Sequence, residues 1–142
     1  MAFKINVAFK GKTHKVETED ESLIGYSIGD KINGETISPE LKGYEIEITG
    51  TSDKAGFAGF SNIDGPNLRK VLLGYGPGMH KKPKGEKKKN RRPKGLRLRK
   101  TVRGKEISEA TVQINTKVLK EGDKKFETFF QKEEKTEEEK SG

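Results

Sequence analysis

The chain has 142 residues, of which 29% are hydrophobic and 37% charged, with a formal net charge of +8 and no cysteine. That length holds one domain with an appendage or at most two small ones, around a thin core. The missing cysteines exclude disulfides, thiolate zinc sites and cysteine nucleophiles, and fit a cytoplasmic protein.

No run approaches the roughly 18 apolar residues of a membrane-spanning helix. The opening Met1-Ala2-Phe3-Lys4 lacks the apolar stretch of a secretory signal. Phe3, Ile5, Val7 and Phe9 then alternate with Lys4, Asn6, Ala8 and Lys10, the period of a half-buried strand. Gly11-Lys12 follows, and glycine in first place predicts a two-residue type II′ hairpin turn. A return strand over residues 13–17 puts His14 and Val16 on one face. Glycines punctuate isolated apolar residues between Gly25 and Asp30, and Lys31-Ile32 leads into Asn33-Gly34, a strong turn pair. Tyr44, Ile46 and Ile48 alternate with Glu45, Glu47 and Thr49, predicting a strand that ends at Gly50. Residues 51–66 read as loop, with Phe57 and Phe60 folded back on the core. Leu68, Val71, Leu72 and Leu73 suit a helical turn or a strand, and the all-β surroundings favour strand.

Beyond this point the composition changes. Residues 69–105 hold 16 Lys/Arg against the single acid Glu86, whereas residues 1–68 carry a net −4. Residues 74–105 contain only five apolar side chains, Tyr75, Met79, Leu96, Leu98 and Val102. Such a stretch cannot offset its own ordering entropy, so residues 79–95 are expected to be unordered without a partner. Alternation then resumes. Leu96, Leu98 and Val102 fall on one face and Arg97, Arg99, Arg103 and Lys105 on the other, with Lys100 the exception. Val112, Ile114 and Val118 mark a last strand, and Phe126, Phe129 and Phe130 a final apolar cluster. The outline is an all-β fold, a small six-stranded barrel with a basic extended segment. Residues 1–73 and 96–131 make the β domain, residues 74–95 the extended segment, and residues 132–142 an acidic solvated tail.

Charge concentrated in one stretch is an electrostatic footprint for a polyanion, because each cation that neutralises a phosphate releases condensed counterions. The candidate contacts are Arg69, Lys70, Lys81, Lys82, Lys84, Lys87, Lys88, Lys89, Arg91, Arg92, Lys94, Arg97, Arg99, Lys100, Arg103 and Lys105. Interspersed Gly and Pro keep the run from becoming a helix, which favours an extended peptide on structured RNA over a helix in a DNA major groove. Among these residues Arg97, Arg99 and Arg103 stand first, since a strand fixes their direction. The bland reading is a targeting or solubilising run, but this one exceeds the 5–8-residue clusters typical of targeting motifs. Membrane-surface binding lacks an amphipathic helix or lipid anchor.

Other chemistry is poorly supplied. His14 and His80 are the only histidines, and the acids form no ligand cluster, so no metal site or cofactor is expected. Gly74-Tyr75-Gly76-Pro77-Gly78 lacks the Lys-Ser/Thr of a phosphate-binding loop and reads as a turn. No nucleophile, base and orienter assemble, so neither an enzyme nor a small-molecule substrate is expected. A DNA-compacting architectural protein remains the alternative to an RNA-binding structural one.

Two stretches add a resemblance. Gly43-Tyr44-Glu45-Ile46-Glu47-Ile48-Thr49-Gly50-Thr51-Ser52-Asp53-Lys54-Ala55-Gly56-Phe57 is similar to a hallmark of the small-subunit ribosomal protein S6e family of archaea and eukaryotes. Arg99-Lys100-Thr101-Val102-Arg103-Gly104 resembles a second, preceded by the Gly-Glu-basic run Gly85-Glu86-Lys87-Lys88-Lys89. Residues 107–122 resemble the family's Asn-containing strand and Lys-Glu-Gly turn. The similarity runs in order from about residue 3 to residue 122. It implies a β-barrel in the small subunit, with the basic segment on ribosomal RNA beside neighbouring ribosomal proteins. The Gly29-Asp30 pair suits a cradle-loop barrel. Eukaryotic members continue into a long basic helix ending in phosphorylated serines; the acidic tail, with its one serine Ser141, fits the short archaeal form instead. Gly56-Phe57 is followed by Ala58-Gly59 where the family has Pro-Met.

Overall fold

Among the described residues seven strands form: β1 (Phe3–Phe9), β2 (Lys12–Thr18), β3 (Lys31–Asn33), β4 (Glu45–Asp53), β5 (Leu68–Gly74), β6 (Arg97–Arg103) and β7 (Thr111–Lys120). The computed structural model describes residues 2–80 and 95–129. β1, β2, β3, β4 and β7 make a five-stranded sheet in the order β2-β1-β7-β4-β3, and β5 and β6 make a separate two-stranded ribbon. Neighbours in the large sheet are antiparallel except β1 and β7, which run parallel with Ile5 opposite Ile114. The fold is therefore mostly β as expected. The six-stranded barrel is corrected: among the described residues β2 and β3 remain open edges of the large sheet, and β5 and β6 pair with each other instead of closing it.

The first hairpin shows why its turn is shifted by one residue from the expected Gly11-Lys12. Phe9 pairs with Lys12, so the loop is Lys10-Gly11, with φ of 46° and 80°. Two central residues at positive φ make a type I′ turn, whose twist matches the flanking strands as well as type II′ does. Likewise β4 does not stop at Gly50. The ladder with β7 slips at Ile48/Gly50 and again at Ser52/Asp53, so the strand bends at bulges and stays paired through Asp53.

One face of the large sheet carries the core. Phe3, Ile5 and Val7 of β1, Ile46 and Ile48 of β4, and Ile114 and Val118 of β7 are buried together with Tyr44. Short 3-10 turns supply Leu23, Ile37 and Leu41 as a lid on that face. β7 also buries Thr111 and Thr116, and the Thr116 hydroxyl donates to the Asn6 carbonyl at 2.9 Å. The C-terminal segment closes the core: Phe126 and Phe129 are buried, and the Phe129 ring stacks on His14 with centroids 4.9 Å apart. The Tyr44 hydroxyl reaches the same segment by donating to the Lys124 carbonyl. Phe57 and Phe60 are only half-buried and lie outside this cluster, a departure from the expected packing. Phe130 and the acidic tail fall outside the described residues.

Candidate nucleic-acid interface

Leu68–Gly74 resolves as strand, not helix, and it pairs antiparallel with Arg97–Arg103. Directly opposed residues share a face in such a ladder. One face thus bears Arg69, Val71 and Leu73 against Val102, Lys100 and Leu98; the other bears Leu68, Lys70, Leu72 and Gly74 against Arg103, Thr101, Arg99 and Arg97. Val102 is buried and Val71, Leu73, Leu98 and Lys100 are half-buried, so the first face packs inward. Lys70, Arg97 and Arg99 are exposed on the second. Neither strand contains an acid. Alternate positions on a strand recur about every 6.6 Å, which spaces these cations evenly along the ribbon.

The pairing also places the basic run. Gly74 lies opposite Arg97, so the two ends of the stretch from Tyr75 to Leu96 are held side by side at one tip of the ribbon. At that tip Gly76 and Met79 exchange backbone hydrogen bonds at 3.0 Å, and Met79 is fully buried. Met79 therefore belongs to the folded body, and the expected unordered stretch of residues 79–95 does not begin there. Lys81, Lys82, Lys84, Lys87, Lys88, Lys89, Arg91, Arg92 and Lys94 lie outside the described residues.

The opposite end of the ribbon is tied to the sheet. Arg103 Nε donates to Asp53 Oδ2 at 3.0 Å, Arg103 Nη1 donates to the Pro66 carbonyl at 2.9 Å, and Asp53 Oδ1 accepts from the Phe57 N–H at 2.8 Å. The Asp53 side chain is only 2% exposed and that of Arg103 15%. Strand alternation directs Arg103 outward, but the 57–60 loop bridges onto β6 at this residue and brings Asp53 over it. The next residue, Gly104, has no room for a side chain: a Cβ would lie 1.7 Å from the Gly65 carbonyl oxygen. The Ala58-Gly59 departure sits in the same loop, where a Cβ on Gly59 would meet Thr51 Oγ1 at 2.1 Å. Lys105 pairs with Asp64 at 2.9 Å. Their hydrogen bond, and after it their mutual charge, holds the Asp64 carboxyl below its ordinary pKa and the Lys105 ammonium above its own.

The candidate cations thus divide. Arg69, Lys70, Arg97 and Arg99 are exposed on the ribbon, Lys100 is half-buried on its inner face, and Arg103 and Lys105 are engaged within the chain. Asp53 and Asp64, which receive those two, were not visible as partners in the sequence. The large sheet, by contrast, offsets its own charge: Lys31 and Lys120 pair with Glu45, and Lys117 pairs with Glu47.

The described residues thus form a β body that carries an acid-free, cation-bearing ribbon. Comparison with known proteins identifies the family. The family model of ribosomal protein S6e matches residues 1–131, and the chain belongs to that family. It is 45% identical over 124 residues to the small ribosomal subunit protein eS6 of Methanococcus maripaludis strain C6, covering 86% of this chain and 90% of that protein. The eS6 protein of Methanosphaera stadtmanae is 37% identical over 142 residues, covering 98% of this chain and 100% of the relative. That of Methanothermobacter thermautotrophicus is 38% identical over 133 residues, covering 92% and 96%. The chain is a ribosomal protein and not an enzyme, and as such it is cytoplasmic. Nothing supports the DNA-compacting alternative.

Proposed function

We propose that this protein is a structural constituent of the small ribosomal subunit that binds ribosomal RNA through residues 69–105 and packs beside neighbouring ribosomal proteins. Residues 1–73 and 96–131, with the buried Met79, serve as the docked body, the rest of residues 74–95 as the extended RNA-binding segment, and residues 132–142 as an acidic tail. The observation that carries this reading is the acid-free β5–β6 ribbon, whose exposed face presents Lys70, Arg97 and Arg99. The same strand pair holds together the ends of the run that contains nine further cations, from Lys81 to Lys94. The names of the relatives agree with it.

Mechanistically, the ribbon supplies cations in fixed directions, and the run from Lys81 to Lys94 supplies nine more for the phosphate backbone. Arg97 and Arg99 offer planar forks that grip phosphate oxygens in pairs, whereas the lysines act as point charges. Neutralised phosphates let RNA helices approach one another. With about eight cations engaged, log K falls against log salt with a slope of roughly −6 to −7. The direct test is sedimentation of native cell lysate through a sucrose gradient, with and without a high-salt wash. Co-migration with the small subunit that survives moderate salt is expected. Recovery at the top of the gradient overturns the reading.

A further inference from the structure

Phosphate neutralisation leaves one property of the ribbon unexplained. Among the described residues the exposed large hydrophobic side chains are Ile24, Leu68, Leu72, Tyr75 and Leu119, and three of the five fall on β5 or just after it. Leu68 is 43% exposed, Leu72 54% and Tyr75 45%. Leu68 and Leu72 share a face with Lys70, Arg97 and Arg99, and Leu72 stands directly opposite Arg99. Tyr75 follows at the tip, its ring perpendicular to that of His80 with centroids 5.5 Å apart.

A purely electrostatic surface has no use for two leucines among its cations and a tyrosine at its tip. Lysine or threonine at those positions would bind phosphate as well and keep the free protein more soluble. A second copy of the chain is a poor occupant, because it would set Lys70, Arg97 and Arg99 against their own equivalents. An occupant must instead alternate negative charge with apolar surface at the spacing of the strand. A polynucleotide with unpaired bases does so, offering a phosphate, a ribose and a base face at every step. Tyrosine suits such a contact, since it presents a rigid ring with only two rotatable bonds to immobilise.

We propose that the exposed face of β5–β6, together with the ribbon tip at Tyr75, holds unpaired nucleotides of RNA. Leu68 and Leu72 pack on ribose and base faces, Tyr75 stacks on a base, and Lys70, Arg97 and Arg99 hold the flanking phosphates. This rests on the RNA-binding reading above, and the experiment separates the two. The full chain is titrated with a transcript of archaeal small-subunit ribosomal RNA across a range of salt, alongside Tyr75→Ala, Tyr75→Phe, the pair Leu68→Ser with Leu72→Ser, and the pair Arg97→Ala with Arg99→Ala. Stacking is sequence-tolerant and little screened, so Tyr75→Ala weakens binding about 5- to 150-fold at every salt concentration and leaves the slope unchanged. Tyr75→Phe retains the affinity, which shows that the ring is what matters. The leucine pair weakens binding at least about threefold, again without changing the slope. The arginine pair makes the slope shallower by about 1.4 to 1.8.

Wild-type affinity for Tyr75→Ala and for the leucine pair at all salt concentrations overturns the proposal while leaving phosphate binding intact. If those variants bind the transcript normally yet are lost from the subunit in a high-salt wash, the face meets a protein and the proposal is equally overturned. Failure of the unmodified chain to bind with a steep slope removes the underlying RNA-binding reading itself. All the substituted residues are exposed, and matched far-UV circular dichroism confirms that the variants fold.

Discussion

Replacing Asp53 by Asn tests how the cationic ribbon is held to the sheet. The carboxylate accepts at both oxygens: Oδ2 from Arg103 Nε at 3.0 Å and Oδ1 from the Phe57 N–H at 2.8 Å. An amide has one acceptor oxygen. Whichever way it turns, its NH2 group faces a donor, so one of the two bonds becomes a donor against a donor. A hydrogen bond to a charged group contributes about 1.5–3 kcal/mol, and removing one partner of a buried ion pair costs about 3–5 kcal/mol. With Asp53 at 2% and Arg103 at 15% exposure, water reaches the guanidinium but hardly the acid, which sets the expectation near the lower figure, about 3 kcal/mol. Against a typical stability of about 5–15 kcal/mol, that is a large share. Urea denaturation followed by far-UV circular dichroism reads it as a midpoint lowered by about 1–3 M at unchanged slope. A double-mutant cycle with Arg103→Gln isolates the coupling, expected at about 2 kcal/mol. Asp64→Asn is the internal control: its carboxyl is 87% exposed, so its bond to Lys105 is screened and the midpoint does not move. A loss below about 1 kcal/mol for Asp53→Asn, the level of a surface pair, refutes the view that this contact anchors the ribbon.

Gly104→Ala drives a methyl group into the Gly65 carbonyl, a backbone atom that cannot swing aside, and costs about 3 kcal/mol or more in the same assay. Gly50→Ala, whose new methyl would have its nearest neighbour at 3.9 Å, is tolerated, and equal effects at the two glycines contradict the packing argument. Burial, and after it the charge of Glu121, raises the Tyr44 phenol above its ordinary pKa of 10.0. The unfolded chain therefore loses that proton first as pH rises, so stability falls from about pH 10 upward until the folded phenol ionises too. Tyr44→Phe removes this component, and parallel alkaline stability curves for the two proteins would show that Tyr44 contributes none of it. In RNA binding, Arg97→Ala and Arg99→Ala each make the log–log salt slope shallower by about 0.7–0.9, whereas Arg103→Gln leaves the slope unchanged because its guanidinium is turned inward.

What the sequence made legible, and what it concealed, follows the range of each interaction. Phe3, Ile5 and Val7, or Tyr44, Ile46 and Ile48, announce their strands because each apolar residue is two positions from the next and all face one core. β7 is partly masked, since two of its buried residues are threonines, Thr111 and Thr116, whose hydroxyls read as solvent-facing until the Asn6 carbonyl is seen to receive one of them. The open sheet order depends on β1 meeting β7 in parallel, a pairing of segments more than a hundred residues apart that no local pattern encodes. The same holds for the interface. Period-two alternation placed Arg97 and Arg99 on the outward face, where the ribbon presents them. It gave Arg103 the same direction, because the carboxylate that captures it lies 50 residues away. The two stretches that resemble family hallmarks thereby acquire a common physical meaning. Asp53 lies within the first and Arg103-Gly104 closes the second, and they meet in one partly buried ion pair beside one glycine contact. Their residues fix where the cationic ribbon departs from the sheet, while Arg97 and Arg99, at and just before the start of the second stretch, keep their charges outward. The anchoring Arg103 and the exposed Arg97 and Arg99 therefore sit on the same strand only a few residues apart, which ties a cationic ribbon to a thin-cored β body.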